Sequence, residues 1–215
     1  TAGDNNTAVG YGTLGANTSG NQNTAVGHTA LQSNITGYEN TAIGSQALKE
    51  NTTGYRNTAS GSVALQSNTT GDYNTASGYF ALYHNISGNY NTASGGYALY
   101  NNTGSSNTAF GYSALNKNTS GNYNTASGSQ ALYYNTSGDK NTASGWSALI
   151  SNTTGDHNTA VGYNAGDVIT TGSNNVIIGE GSDPSANNGT NQIVIGQGAT
   201  GLGDNKAVIG NASVT

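Results

Sequence analysis

Few side chains here could do chemistry: three His, ten Asp and Glu, five Lys and Arg, and no Cys in 215 residues. His28, His84 and His157 stand in different copies of a repeating pattern, and none has a nucleophile at a recurring spacing. A catalytic triad or a metal centre needs several groups to converge, so the spacing predicts solvated histidines, no catalytic residue, no cofactor and no enzyme. Asp72, Asp139, Asp156 and Asp167 fall in turn-like stretches and raise the question of calcium. The repeated Gly-Gly-x-Gly-x-Asp of calcium-binding rolls is missing, with one partial match at Gly179-Glu180-Gly181-Ser182-Asp183, and turn solvation is the expectation.

Three further sets could bind rather than react. Asn-x-Ser/Thr recurs at Asn17, Asn34, Asn51, Asn68, Asn85, Asn101, Asn118, Asn135 and Asn152. That pattern is a glycosylation acceptor, but Asn before Gly is also turn chemistry, and a structural ladder is the favoured reading. Aromatic residues cluster at outward positions, Tyr79, Phe80, Tyr83, Tyr97, Tyr100, Tyr133, Tyr134 and Trp146, where they could meet a glycan or protein receptor or shield the ladder edges. Thr-Ala-Ser at 58–60, 75–77, 92–94, 125–127 and 142–144 gives ranks of hydroxyls that could order water as an ice-binding face does.

All of these sit on one regular scaffold. The pattern Asn-Thr-Ala-x-Gly-x-x-Ala-Leu-x-x-Asn-x-Ser/Thr-Gly-x-x starts at Asn6, Asn23, Asn40, Asn57, Asn74, Asn91, Asn107, Asn124, Asn141 and Asn158, always 17 residues apart except for the 16-residue step from Asn91 to Asn107. The beat continues at Asn175 and Gln192, and then shortens to 14 at Lys206. Residues 1–174 form the regular array, and 175–215 continue it with more apolar coils. A 17-residue unit is too short for a helical hairpin and too rich in Gly and Asn for helix. The spacing predicts an all-β parallel β-roll or β-solenoid of about thirteen coils, at ~4.8 Å each a rod of roughly 60 Å. Thr-Ala-x is the strand, and Ala-Leu is a second strand or a tight turn.

Alternation along the strand predicts a roll core of Ala8, Ala25, Ala42, Ala59, Ala76, Ala93, Ala109, Ala126 and Ala143 with Leu14, Leu31, Leu48, Leu65, Leu82, Leu99, Leu115, Leu132 and Leu149. The residues flanking each Ala then point outward. Val9, Val26, Ile43, Val161, Val176, Ile178, Ile193, Ile195 and Ile209 make an apolar stripe on that outer face, which marks a partner surface. One Leu and one Ala per coil is a small core for 17 ordered residues, so self-association, most economically as a symmetric homotrimer, is expected. Charged residues are 7% of the chain and the net charge is −5. That balance excludes the basic surface a nucleic acid or an anionic membrane needs, and no stretch approaches the ~20 apolar residues of a membrane span. The chain opens inside a repeat, at Thr1-Ala2-Gly3, which reads as a piece of a longer protein.

The Asn-x-x-Val-Ile-Gly cadence of Asn205 to Gly210 and the similar Asn174 to Gly179 resembles the head repeat of trimeric autotransporter adhesins of the YadA type. The longer Asn-Thr-Ala-x-Gly-x-x-Ala-Leu-x-x-Asn-Thr-Thr-Gly form is similar to arrays in tail-fibre-domain proteins of bacteria and phages. The chain departs from the adhesin head in its 17-residue coils, where that head has about 14, and in carrying Ser60, Ser77, Ser94, Ser127 and Ser144 where that repeat has Val or Ile. The resemblance implies left-handed winding, three chains with the strand's flanking residues at the trimer axis, and a structural and adhesive role in an extracellular, cell-surface or virion fibre. The alternative is a monomeric binding module that uses the hydroxyl ranks for ice or the outer Tyr for glycans.

Overall fold

The computed structural model describes residues 3–211. It is all-β, a parallel β-solenoid of ~17-residue repeats, with no helix among the described residues. Its thirteen three-residue strands are β1 (Thr7–Val9), β2 (Thr24–Val26), β3 (Thr41–Ile43), β4 (Thr58–Ser60), β5 (Thr75–Ser77), β6 (Thr92–Ser94), β7 (Thr108–Phe110), β8 (Thr125–Ser127), β9 (Thr142–Ser144), β10 (Thr159–Val161), β11 (Val176–Ile178), β12 (Ile193–Ile195) and β13 (Ala207–Ile209). The chain divides into two compact units, Thr1–Ser106 and Asn107–Thr215. In the first, β1 to β6 pair parallel in chain order with Thr on Thr and Ala on Ala. In the second, β7 to β13 also pair parallel in chain order, with Thr on Thr and Ala on Ala as far as β10 and Val, Ile and Ala in their places from β11 on.

Strand and turn alternate because the residue types demand it. Thr, Val and Ile suit a pleated strand, and the Gly that follows sits at φ near +138° in most coils and bends the chain away. The Ala-Leu pair proves to be a turn. Every Leu of the pattern, from Leu14 to Leu149, has a φ between 49° and 52°. That left-handed conformation cannot propagate a strand, yet it aims the side chain inward, and a large core residue is thereby hung on a tight bend. The turns stack by backbone hydrogen bonds as the strands do: the Leu31 N–H donates to the Ala47 carbonyl at 3.0 Å, and the Leu48 N–H to Ala64 at 3.0 Å.

The core is a column of small rungs. Ala25, Leu31, Ala42, Leu48, Ala59, Leu65, Ala76, Leu82, Ala93 and Leu99 are fully buried in the first unit, as are Ala109, Leu115, Ala126, Leu132, Ala143 and Leu149 in the second, and Leu14 is nearly so. Ala8 is an exception to the predicted core: it is exposed. A roll's interior side chain is covered by the coils on both sides of it, and among the described residues β1 pairs only with β2. A second Ala was missed by strand alternation, because it lies in the turn. Ala30, Ala47, Ala64, Ala81, Ala98, Ala114, Ala131, Ala148 and Ala165, one residue before the Leu in all but the last case, are all fully buried.

Two residues before each Leu the chain passes through a second left-handed position, occupied by residues as different as Thr29, Gln46, Val63, Tyr97 and Ser147. At Val63, with φ of 56°, a β-branched side chain sits where it is least tolerated. The equivalent residue in a later coil is Asn164, at φ of 53°, and Asn accepts this conformation. Val63→Asn is therefore expected to stabilise the first unit by about 1 kcal/mol, read as a higher denaturant midpoint with an unchanged slope.

The rungs change character within the second unit. At Gly166 the Leu position is vacated, and a Cβ built there would lie 3.1 Å from Leu149 and 3.3 Å from Ile169. Ile169 stands where earlier coils carry the turn Asn, and it fills the space. In the next coils Ile177 and Val194 replace the strand's Ala and are fully buried, while Asp183 and Thr200 occupy the Leu position and bridge as a parallel pair. The bulky core residue has moved from the turn to the strand.

Candidate functional site

Two asparagine ladders run through each unit. In one, Asn51 donates through Nδ2 to Asn34 Oδ1 at 2.8 Å and to the Gly54 carbonyl at 2.9 Å, and Asn34, Asn68 and Asn85 repeat the arrangement. In the other, the Asn40 N–H donates to Asn23 Oδ1 at 3.0 Å and its Nδ2 to Gly54 at 2.9 Å. A repeating residue satisfies the backbone of its neighbour, so buried polar groups stay paired.

The first ladder settles the reading of the Asn-x-Ser/Thr sites. Asn34, Asn51, Asn68, Asn85, Asn118, Asn135 and Asn152 are fully buried and Asn17 nearly so. An oligosaccharide on Nδ2 would replace the hydrogen that binds the next rung, so these residues are ladder members and not acceptors in the folded chain. Asn101 is a correction. In the 16-residue coil it is Asn102 that joins the ladder, to Asn85 Oδ1 at 3.0 Å and Gly104 at 2.8 Å, because it keeps the 17-residue step from Asn85 and the lost residue lies after it, before Gly104.

The turn carboxylates have a structural role as well. Asp72 accepts from the Tyr55 N–H at 3.0 Å, Asp139 from Asn122 at 2.6 Å and Asp156 from Asp139 at 2.7 Å, a rank that Asn21, Asn89, Ser105 and Ser173 also supply. Among the described residues no three of His, Cys, Asp and Glu converge.

Asp183 is different. It stands at the position of a core Leu, one of its carboxylate oxygens is buried without a partner, and burial, with Asp167 nearby, pushes it from 3.8 up to about 6. A raised carboxyl means that between 3.8 and about 6 the native chain holds more proton than the unfolded one, so this group's contribution falls as pH rises through that window. Asp183→Asn is expected to stabilise the second unit by about 1 kcal/mol at pH 7, after allowance for partial exposure, and to gain nothing near pH 4. Asp204 pulls the other way: the Thr190 N–H and the Gln192 side chain hold it below its ordinary value. Melting both chains across the same pH range isolates the Asp183 difference.

No family model, curated protein or solved structure matches this chain. The functional reading rests on its surfaces.

Of the aromatic set, the structure gathers Tyr79, Phe80, Tyr83, Tyr97 and Tyr100 into one patch of the first unit, together with His84. Phe80 stacks on Tyr97 at 5.3 Å and Tyr83 on Tyr100 at 5.4 Å. Tyr79 meets Phe80 and Tyr97 edge to face, so the patch is held by ring contacts in two directions. Tyr133 and Tyr134 meet edge to face in the second unit, where Trp146 stacks on Tyr163 at 4.8 Å. Tyr163 was not singled out by the sequence, although its place after the strand Gly matches that of Trp146. A further column, Tyr38 on Tyr55 and Tyr73 on Tyr90, is stapled by Arg56. Its guanidinium pairs with Glu39 at 2.6 Å and reaches the Tyr73 hydroxyl, and the Glu39 and Tyr73 hydrogen bonds raise its pKa further.

Each unit also presents an outer strand face. Val9, Ile43, Val161, Ile178, Ile193 and Ile209 are exposed and Val26, Val176 and Ile195 half-buried. Phe110 extends the stripe. Ser60, Ser77, Ser127 and Ser144, with their Thr partners, interrupt it with exposed hydroxyls. No charged residue occurs in any of the thirteen strands.

Proposed function

We propose that this chain is a structural and adhesive segment of an extracellular or virion fibre, in which three copies pack on the outer strand face. The observation that carries the reading is the exposure of that charge-free face, with Val9 at 58%, Phe110 at 48% and Ile209 at 78%. Within each unit that face is in register and uncharged and carries exposed aliphatic side chains, which favours an apolar partner over a charged one. It is self-complementary, since a second copy presents like rungs to like rungs. The Asn ladders give each chain regular, polar rigidity without a thick core, as a spacer requires. The reading takes up the resemblance to adhesin heads and tail-fibre arrays, where such a face lies at a trimer axis.

Light scattering tests it. A mass near three times 21.6 kDa is the expected result, and Ile178→Lys with Ile195→Lys should lower it to that of one chain. A single-chain mass for the unmodified protein would overturn the reading and leave the Thr58/Ser60, Thr75/Ser77 and Thr92/Ser94 ranks exposed, which is the arrangement an ice-binding module needs. Thermal hysteresis would then be the measurement.

A further inference from the structure

The residue after each strand Gly forms an outward rank on a different surface from the strand face. In the second unit the rank reads Tyr112, Ser129, Trp146, Tyr163, Glu180, Gln197, and the rungs around Trp146 are fixed by backbone bonds: Gln130 N–H to the Tyr112 carbonyl at 2.9 Å, Ser147 to Ser129 at 3.0 Å and Asn164 to Trp146 at 2.9 Å. Trp146 and Tyr163 stack at 4.8 Å and 11°, so one face of the indole is covered by a ring. On its other side the next rung holds only a serine, and the aromatic residue beyond, Tyr112, starts from backbone two rungs, about 9.6 Å, away. The rank therefore has one rung in which a flat group is missing beside an indole braced from behind. Trp146 is 45% exposed, Tyr163 51% and Tyr112 58%.

We propose that the Ser129 rung is a binding subsite for one pyranose ring of a neutral saccharide, stacked on Trp146. A slot one rung thick admits a single ring. The rungs on either side, Tyr112 and Trp146, carry no charge, and the rank's one carboxylate, Glu180, stands three rungs away, which favours a neutral ligand. The apolar indole face suits the C–H face of a sugar, and the hydroxyl of Ser129 and the amide of Gln130 suit its equatorial hydroxyls. The inference uses a different surface from the proposed self-association, and the two stand or fall separately.

Trp146 is the sole tryptophan, so its emission reports on the site directly. The full chain is titrated separately with cellohexaose, chitohexaose and maltohexaose, and with free indole as an aromatic competitor. A saturable change with at least one saccharide is expected. Ser129→Tyr fills the rung as Tyr163 fills its own, and should weaken binding about tenfold or more with an unchanged melting curve. Trp146→Leu, followed by saturation-transfer NMR, should lose binding and serves if the first variant does not fold. No response to any of the three, undiminished binding in either variant, or a stronger response to indole than to every saccharide would overturn the proposal.

Discussion

Gly61→Ala is expected to destabilise the first unit by more than about 4 kcal/mol, the sum of backbone strain and overpacking. The added Cβ would lie 2.6 Å from the Gly78 carbonyl oxygen and 2.8 Å from its carbon, at a φ of +142° that L side chains rarely adopt. The obstacle is the backbone of the next coil, so no side chain can swing aside. The Gly78 N–H donates to Ser60 at 2.8 Å, and the two coils must part there to admit a methyl group. A solenoid's stability is close to a sum over neighbouring coils, so a parted pair leaves two short stacks in place of one long one. Equilibrium denaturation and faster hydrogen exchange at Gly78 would report it. Gly181→Asn is the contrast: φ is +57° and nothing lies within 4 Å of the new Cβ, so a loss under about 1 kcal/mol is expected. Equal losses at the two sites would show that conformation alone, and not the closeness of the coils, decides the outcome.

The period was legible because the fold is local: each coil meets only its neighbours, so every contact recurs at the repeat length and is written in the sequence as a repeated residue. The strand, its buried Ala and the inward Leu followed from that. What was not legible depends on backbone sign. Strand alternation assigns faces where φ is negative and extended, but Ala30 and its equivalents reach the core from a turn whose residues at Thr29 and Leu31 are both left-handed, and no composition rule marks Thr, Val, Gln or Leu for that conformation. Val63 is the clearest case, since its type argues against its position. Asn101 was misread for a different reason: the Asn-x-Thr triplet was followed in place of the beat, which puts Asn102 at 17 residues from Asn85 and three from Leu99. In the aromatic patch, type and outward position could be read, but whether rings face solvent or one another depends on coil spacing. At one rung apart, Phe80 and Tyr97 cover each other; with Ser129 between, Trp146 and Tyr112 do not occupy consecutive rungs.

Replacing a ladder asparagine by its isosteric acid should do more damage than removing it. Asn68 donates to Asn51 Oδ1 at 2.9 Å and to the Gly71 carbonyl at 3.0 Å, and accepts from Asn85 at 3.1 Å. In Asn68→Ala the Asn51 oxygen loses its donor while Gly71 keeps the bond from Asn57 at 2.7 Å, so about 3 kcal/mol is lost at any pH. In Asn68→Asp an ionised carboxylate would set an acceptor against both acceptors, in a position with no solvent exposure and no cation. A loss of about 3–5 kcal/mol is expected at pH 7. Burial and the facing oxygens raise the acid's folded pKa above its unfolded value, so the native state takes up a proton as pH falls and part of the loss is recovered, because the protonated acid can donate to one of the two oxygens. Denaturation midpoints of the Ala and Asp variants should therefore converge as pH drops from 7 toward 4, with Asp the worse at neutral pH. Parallel midpoints across that range would mean that the carboxylate finds water, and that the ladder is less sealed than its geometry indicates. The molecule itself contains one engineered-looking end to this ladder. Asn152 Oδ1 has no partner, because the next rung is Ile169, whose side chain offers no donor and packs 3.3 Å from where a Cβ at Gly166 would stand.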